Sequence, residues 1–287
     1  MIALTRSLWH SRNLLLNLVR RDLTVRYRST VLGFFWSFAK PLAYMGIYHV
    51  IFGEMLDLRV RQPEIPYALH VLAGILPWTF FIGASGEAMG SILASANVVK
   101  KVKLPLEVFP AAAVCSHAVH FFLAMTVLVG GMVVVGLAPG PAFLLFPLIA
   151  LLQLLLVAAV ALFLAALNVF FRDVASLWEV IATGWLYATP IIYPAYVATE
   201  EFQRRGWDWA YWAFLANPMT PITIAYRRVM LYGALSPGEA QGSALHLEMD
   251  DAQLLGTLGM AGLVSLVLLA VAYRVFTRLS RRFADEL

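Results

Sequence analysis

Six runs of mainly apolar residues divide the chain, at about 31–54, 68–92, 106–136, 143–169, 176–194 and 252–273. A helix needs about 20 such residues to cross a hydrocarbon core about 30 Å thick, so each run predicts one transmembrane helix. The third, fourth and sixth are free of Asp, Glu, Lys and Arg over long stretches such as "FLLFPLIALLQLLLVAAVALFLAALNVF". The first holds Lys40, Pro41 and His49 and still qualifies. A lysine near one end snorkels, and neighbouring helices satisfy the carbonyl that a proline frees. Ahead of it, Leu14, Leu15, Leu18 and Leu23 alternate with Asn17, Arg20, Arg21 and Asp22 at helical spacing, which predicts an amphipathic helix lying flat on the membrane.

Residues 195–251 are too polar to span yet rich in aromatics. Trp207, Trp209, Tyr211, Trp212 and Phe214 suit headgroup depth, predicting two short re-entrant helices broken at Asn217-Pro218. The expected fold is therefore all-α and membrane-embedded, a single domain over 1–287, with 1–30 as the interfacial helix and 195–251 as the re-entrant region.

Composition agrees: 61% of the 287 residues are hydrophobic and 13% charged. A soluble domain spends about a quarter of its residues on charge. The distribution of that charge gives orientation. With six spans both termini share a side, and that side collects Arg6, Arg12, Arg20, Arg21, Arg26 and Arg28, then Lys100, Lys101 and Lys103, then Arg172, then Arg274, Arg278, Arg281 and Arg282. These fourteen face only six on the other side (Arg59, Arg61, Arg204, Arg205, Arg227 and Arg228), with Lys40 completing the twenty-one. The excess places both termini in the cytoplasm. Basic residues spread along one membrane face, rather than gathered in a groove, argue against nucleic-acid binding.

Residues 1–30 have no apolar core followed by a small-residue cleavage site, so they are expected to remain in the mature chain. The single cysteine, Cys115, lies within a span and excludes an intramolecular disulfide. Inside the spans stand Glu87, His117, His120 and Glu179. Two histidines are too few for a metal site, and hydrogen bonding between helices is the expected role. A membrane-embedded transferase using Glu87, His117 and His120 is the rival from another class; it predicts turnover by the chain alone.

One stretch, "RRDLTVRYRSTVLGFFWSFAKPL", resembles the opening of the membrane subunit of bacterial ATP-binding-cassette (ABC-2 type) polysaccharide exporters. The resemblance continues in order through "LPWTFF" (76–81), "SANVVKKVKLPLEVFP" (95–110), "NVFFRDV" (168–174), "TPIIYP" (189–194) and "NPMTPITIAYRRVMLYG" (217–233). It implies a homodimer of six-span permeases in the bacterial cytoplasmic (inner) membrane, with 195–251 on the periplasmic side. It also implies two copies of a separate ABC ATPase subunit. The chain has no G-x-x-x-x-G-K-[ST] phosphate loop, so ATP and Mg are expected on that partner and no cofactor on this chain. The implied cargo is a lipid-linked polysaccharide, O-antigen on polyprenyl diphosphate first, with capsule, teichoic-acid or small-molecule export as alternatives.

Roles follow for particular residues. Guanidinium forks suit phosphate, so Arg20, Arg21, Arg26 and Arg28 are candidates to receive the diphosphate at a cytoplasmic gate, besides anchoring the chain at the leaflet. The basic turn of Asn97, Val98, Val99, Lys100, Lys101, Val102 and Lys103, stopped by Pro105, is the candidate coupling element, with Val98, Val99, Val102 and Leu104 offered to a groove on the ATPase; Arg172 and Asp173 form a second contact. A polymer slides best over many weak, register-free contacts, which aromatic faces provide. Trp36, Tyr44 and Tyr48 on the first span and Trp178, Trp185, Tyr187 and Tyr193 on the fifth are the candidate channel lining. Core packing explains the same pattern.

Overall fold

The computed structural model of the chain describes residues 2–27, 35–55, 65–102, 104–232 and 251–287. The described residues form helices and connecting turns. Two N-terminal helices, α1 (Ile2–His10) and α2 (Arg12–Tyr27), precede α3 (Trp36–Tyr48), which continues as a π-helical stretch over His49–Met55. Then come α4 (Tyr67–Ala94), the short α5 (Ala96–Val99), α6 (Val108–Val134), α7 (Phe146–Phe170) and α8 (Val174–Ala188). Three further helices follow, α9 (Ala195–Arg205), α10 (Asp208–Ala216) and α11 (Met219–Met230), before the long α12 (Asp251–Leu279) and a last turn, α13 (Phe283–Glu286).

The central helix is α4, which packs against α6, α7, α11, α3 and α8, while α12 runs along α7. Leu72, Phe81 and Ala84 of α4 meet Leu128 of α6, Leu156 of α7 and Ile222 and Tyr226 of α11 in one buried cluster. Lipid tails are as apolar as these side chains, so close packing rather than escape from water holds such helices together. Small residues permit it: Ala73, Ala84 and Ala88 on α4, Ala113 and Ala124 on α6 and Ala161 on α7 are all buried in the same cluster. Polar side chains add links between helices. The Gln153 Nε2 of α7 donates to the Pro77 carbonyl of α4 at 2.6 Å, and Tyr226 Oη of α11 donates to Gln153 Oε1 at 2.8 Å. Lower down, Asn168 Nδ2 donates to the Met89 carbonyl at 3.1 Å.

Among the described residues, four helices are long and apolar enough to cross a membrane: α4, α6, α7 with its preceding turn (Pro141–Phe170), and α12 within Gln253–Arg282. The expected first span, 31–54, is helical over its described part as α3 and the His49–Met55 stretch, and 31–34 lie outside the described residues; the expected fifth is shorter. The fifth, expected over 176–194, stops as a helix at Ala188 after 15 residues, about 22 Å of rise. Thr189 takes an extended conformation (φ −110°, ψ 140°), because the ring of the following Pro190 disfavours the helical region for the residue before it.

Two other expectations change in detail. Between the fifth and sixth runs there are three described helices rather than two, because the chain breaks at Gly206 (φ 65°) as well as at Asn217-Pro218. The apolar stripe of α2 is also turned toward protein: Leu18 is buried with Val108, Phe109 and Ala112 of α6, and Leu14, Leu15 and Val19 pack beside it.

Candidate functional site

The first run and the middle of the bundle enclose a groove of about 490 Å³ between α3, α4 and α6. One wall carries Trp36, Lys40 and Tyr44 of α3, and the floor carries Phe80, His120 and Phe121. Trp36 and Tyr44 are 42% and 38% exposed. Tyr48 stacks on Tyr44 with centroids 6.2 Å apart and packs against Tyr67 and Val71 at the side. Of the three first-run aromatics, Trp36 and Tyr44 line the groove, and Tyr48 stacks on Tyr44 beside it.

The fifth-run aromatics divide. Tyr187 is 64% exposed on α8, and Tyr193 beyond the helix donates its Oη to the Tyr187 carbonyl at 2.9 Å. Trp178 and Trp185 instead turn into the helix bundle. Each meets Phe81 of the "LPWTFF" segment edge-on, at 5.9 and 5.1 Å between centroids, and Trp185 Nε1 donates to Asn217 Oδ1 at 2.8 Å. They are packing residues here, because the large apolar surface of α4 around Phe81 offers them better contact than an open face does.

The intramembrane ionisable residues tie helices together. His117 Nε2 lies 2.8 Å from Glu87 Oε2, joining α6 to α4, and His120 Nδ1 lies 3.3 Å from Ser37 Oγ, joining α6 to α3. The two imidazoles meet edge-to-face at 6.2 Å. Among the described residues no group of three His, Cys, Asp or Glu side chains could hold a metal ion. Glu179 sits apart from them, on the exposed side of α8, at the rim of a cleft against α4.

At the chain's basic end, Arg20 and Arg21 project from the exposed side of α2, with Arg21 bonded to its neighbour Asp22 at 3.0 Å. Arg26 falls in the last turn of α2, and Arg28 lies outside the described residues. The expected coupling turn is α5 and the residues after it. Asn97, Val98, Lys100, Lys101 and Val102 are exposed; Lys103 lies outside the described residues. Val99 and Leu104 depart from expectation: they pack with Leu18 of α2 and Phe109 of α6, anchoring the turn and leaving Val98 and Val102 as its free apolar contacts. Arg172 and Asp173 are exposed in the turn between α7 and α8.

One residue escaped the sequence reading. Arg227, expected among the outer surface cations, is fully buried. Its Nη2 donates to the Ile191 carbonyl at 2.6 Å, its Nε to His70 at 3.1 Å and its Nη1 to Tyr193 at 3.4 Å. A planar guanidinium with five donors can serve several carbonyls at once, which makes burial tolerable. The available signal was position: Arg227 stands in the mixed apolar run of α11 beside Arg228, and only the burial of its side of α11 separates it from the partly exposed Arg228.

Comparison with known proteins adds the lineage. A family model described as ABC-2 type transporter matches residues 13–231. The O-antigen export system permease protein RfbA of Myxococcus xanthus is 32% identical over 292 aligned positions covering all of both chains. Two Klebsiella pneumoniae proteins of the same name are 30% identical over 78% of this chain and 82% of theirs, and 29% identical over 96% and 95%. The chain belongs to the ABC-2 type transporter family, as a membrane permease rather than an enzyme.

Proposed function

We propose that this chain is the channel-forming permease of an ATP-driven exporter that moves a lipid-linked polysaccharide, O-antigen on polyprenyl diphosphate first, across the bacterial cytoplasmic membrane. The observation that carries the reading is the end-to-end match to a permease named for O-antigen export, with no part of either chain left over. In this reading α3 with its π-helical continuation and α8 with residues 189–194 complete six spans, both termini are cytoplasmic, and α9 and α10 dip into the outer leaflet. Two copies enclose the channel. Two ATPase subunits, holding ATP and Mg, press on α5 and on the Arg172–Asp173 turn.

The groove supports the sliding demand. Trp36 and Tyr44 in the groove, and Tyr187 on α8 outside it, offer exposed ring faces that sugar C–H groups can cross without fixed register. Trp178 and Trp185 act behind that surface, as supports. Arg20, Arg21, Arg26 and Arg28 receive the diphosphate at the cytoplasmic entrance, where bidentate guanidinium–phosphate contacts orient it. The test is export by the reconstituted permease and ATPase in vesicles, offering a polyprenyl-diphosphate polymer, a capsule or teichoic polymer, and small amphiphiles in parallel. Polymer transport lost on charge reversal of the four arginines, with membrane insertion intact, is expected. Transport of the small amphiphiles alone overturns the cargo, and chemical turnover by the permease without its ATPase overturns the transporter reading.

A further inference from the structure

The outer end of α8 is held from several sides. Three consecutive carbonyls beyond it accept side-chain donors: Ile191 and Tyr193 from Arg227, at 2.6 and 3.4 Å, and Ile192 from Tyr67 Oη at 2.8 Å. Asn217 adds Nδ2 contacts to the Ala188 carbonyl at 3.3 Å and to Thr189 Oγ1 at 2.9 Å. Every backbone or hydroxyl oxygen named here is thus tied to α4, to α11 or to the turn before α11. In a low-dielectric interior such bonds are strong and costly to leave unmade, so this segment resists displacement.

The shaft of α8 is different. Leu177, Val180 and Ile181 are 60%, 73% and 55% exposed on one side. On the other side a cleft of about 340 Å³ separates it from α4, lined by Ile82, Gly86, Ala175, Glu179, Ala182 and Thr183. A Cβ added to Gly86 would meet no atom within 4 Å. The buried Trp178 Nε1 beside this cleft has no acceptor among the described residues, an uncompensated donor that a shift of α8 can relieve.

We propose that Arg227 is a positioning residue for transport: it holds the backbone of residues 191–193 as a fixed pivot, about which the shaft of α8 swings into the cleft against α4. A helix pinned at its outer end, and held along its shaft against α4 chiefly through Trp178 and Trp185 on Phe81, does not translate freely; it rotates about the pin. The swing is largest at the cytoplasmic end, next to the Arg172–Asp173 turn where the ATPase is proposed to push. The inference rests on family membership and on that proposed drive, and not on which polymer is carried.

Spin-label distances in the permease–ATPase complex in lipid nanodiscs test it, on a Cys115→Ser background with one labelled protomer per dimer. An inner pair at Ala94 and Leu177 and an outer pair at Tyr187 and Val197 use exposed positions. With ATP and Mg the inner distance is expected to change by about 2 Å or more, the scale of helix shifts that switch packed elements, while the outer distance holds. Gly86→Leu fills the cleft and is expected to abolish the inner shift and cut transport about tenfold, with the outer distance and thermal midpoint unchanged. Arg227→Met broadens the outer distance distribution, and Arg227→Lys narrows it again in part. Should Arg227→Met fail to fold, Tyr67→Phe removes one of the three carbonyl bonds and carries the same expectation in milder form. An outer pair that moves as far as the inner one, or Gly86→Leu with a normal inner shift, overturns the pivot. Normal distances with no export of polymer overturn the proposed cargo and leave the pivot standing.

Discussion

Gly74 and Arg227 occupy one contact point: a Cβ on Gly74 would lie 2.9 Å from Arg227 Nη2 and 2.9 Å from the Ile191 carbonyl that this nitrogen serves. The carbonyl belongs to a pinned backbone and cannot give way cheaply. Gly74→Ala is therefore expected to destabilise the protein by about 1–3 kcal/mol, the range for overpacking a closed site. Gly90→Ala, on the same helix with nothing within 4 Å, is the control and is expected to be neutral or slightly stabilising. Thermal unfolding of the detergent-solubilised proteins, side by side, distinguishes the two.

His117 approaches α4 over another glycine. A Cβ on Gly83 would lie 2.7 Å from the His117 ring, whose Nε2 is held by Glu87. Gly83→Ala is expected to push the ring away and break the link to Glu87, at a cost near that of Glu87→Leu. The double variant should then cost less than the sum of the two, because both remove the same interaction. Full additivity in unfolding measurements would show that the pair contributes independently of the approach.

Asn217 serves two partners with each end of its amide. Its Oδ1 accepts from Trp185 Nε1 at 2.8 Å and from the Met219 backbone N–H at 3.0 Å, while Nδ2 reaches the end of α8. Asn217→Ala is expected to cost about 1–3 kcal/mol through partly buried donors left unmade. Asn217→Asp keeps the acceptor and loses the donor, so it should fall between wild type and alanine in thermal midpoint.

Val98 and Val102 are the free apolar contacts of the α5 turn, whereas Val99 faces inward. Val98→Asp with Val102→Asp is expected to weaken copurification of the ATPase at least about tenfold while leaving the thermal midpoint unchanged, as a few anchoring side chains dominate most interfaces. Val99→Ala should do the reverse, lowering stability first. ATPase pull-down and unfolding curves on the same preparations separate these outcomes.

On α9, hydrogen bonds from Arg204 and then Arg205 hold the Glu201 carboxyl down at about 2. A carboxyl depressed below its unfolded value stabilises the fold at neutral pH and loses that contribution as pH falls through the folded pKa. The Glu201 pairing is therefore expected to persist through pH 4 and to fail near pH 2, read from the carboxyl carbon shift in an NMR titration assigned with Glu201→Gln. The group is exposed, so global stability should change little across that range.

The membrane class, the four long helices and the ordered landmarks were legible because length, apolarity and the punctuation of Pro and Gly are local properties. "LPWTFF" was legible only as a landmark of the family pattern; that its Phe81 packs against Trp178 and Trp185 is a fact about how α4 and α8 lie together. Arg227 shows the limit more sharply. A count of cations treats Arg227 and Arg228 alike, yet one is enclosed by α4, α11 and the 191–193 backbone and the other is half-exposed.

What the sequence determined alone was which segments prefer hydrocarbon, where helices must stop, and which family pattern the chain follows, since each depends on residues near one another along the chain. The tertiary structure alone decided which polar groups become interior fasteners. Carbonyls at 193, 191 and 70 find their donor in Arg227, 34, 36 and 157 positions away, and the carbonyl at 192 finds Tyr67 125 positions away, separations that no periodicity encodes. A buried donor is stable only where a fold brings acceptors to it, and that proximity exists only after the helices have packed.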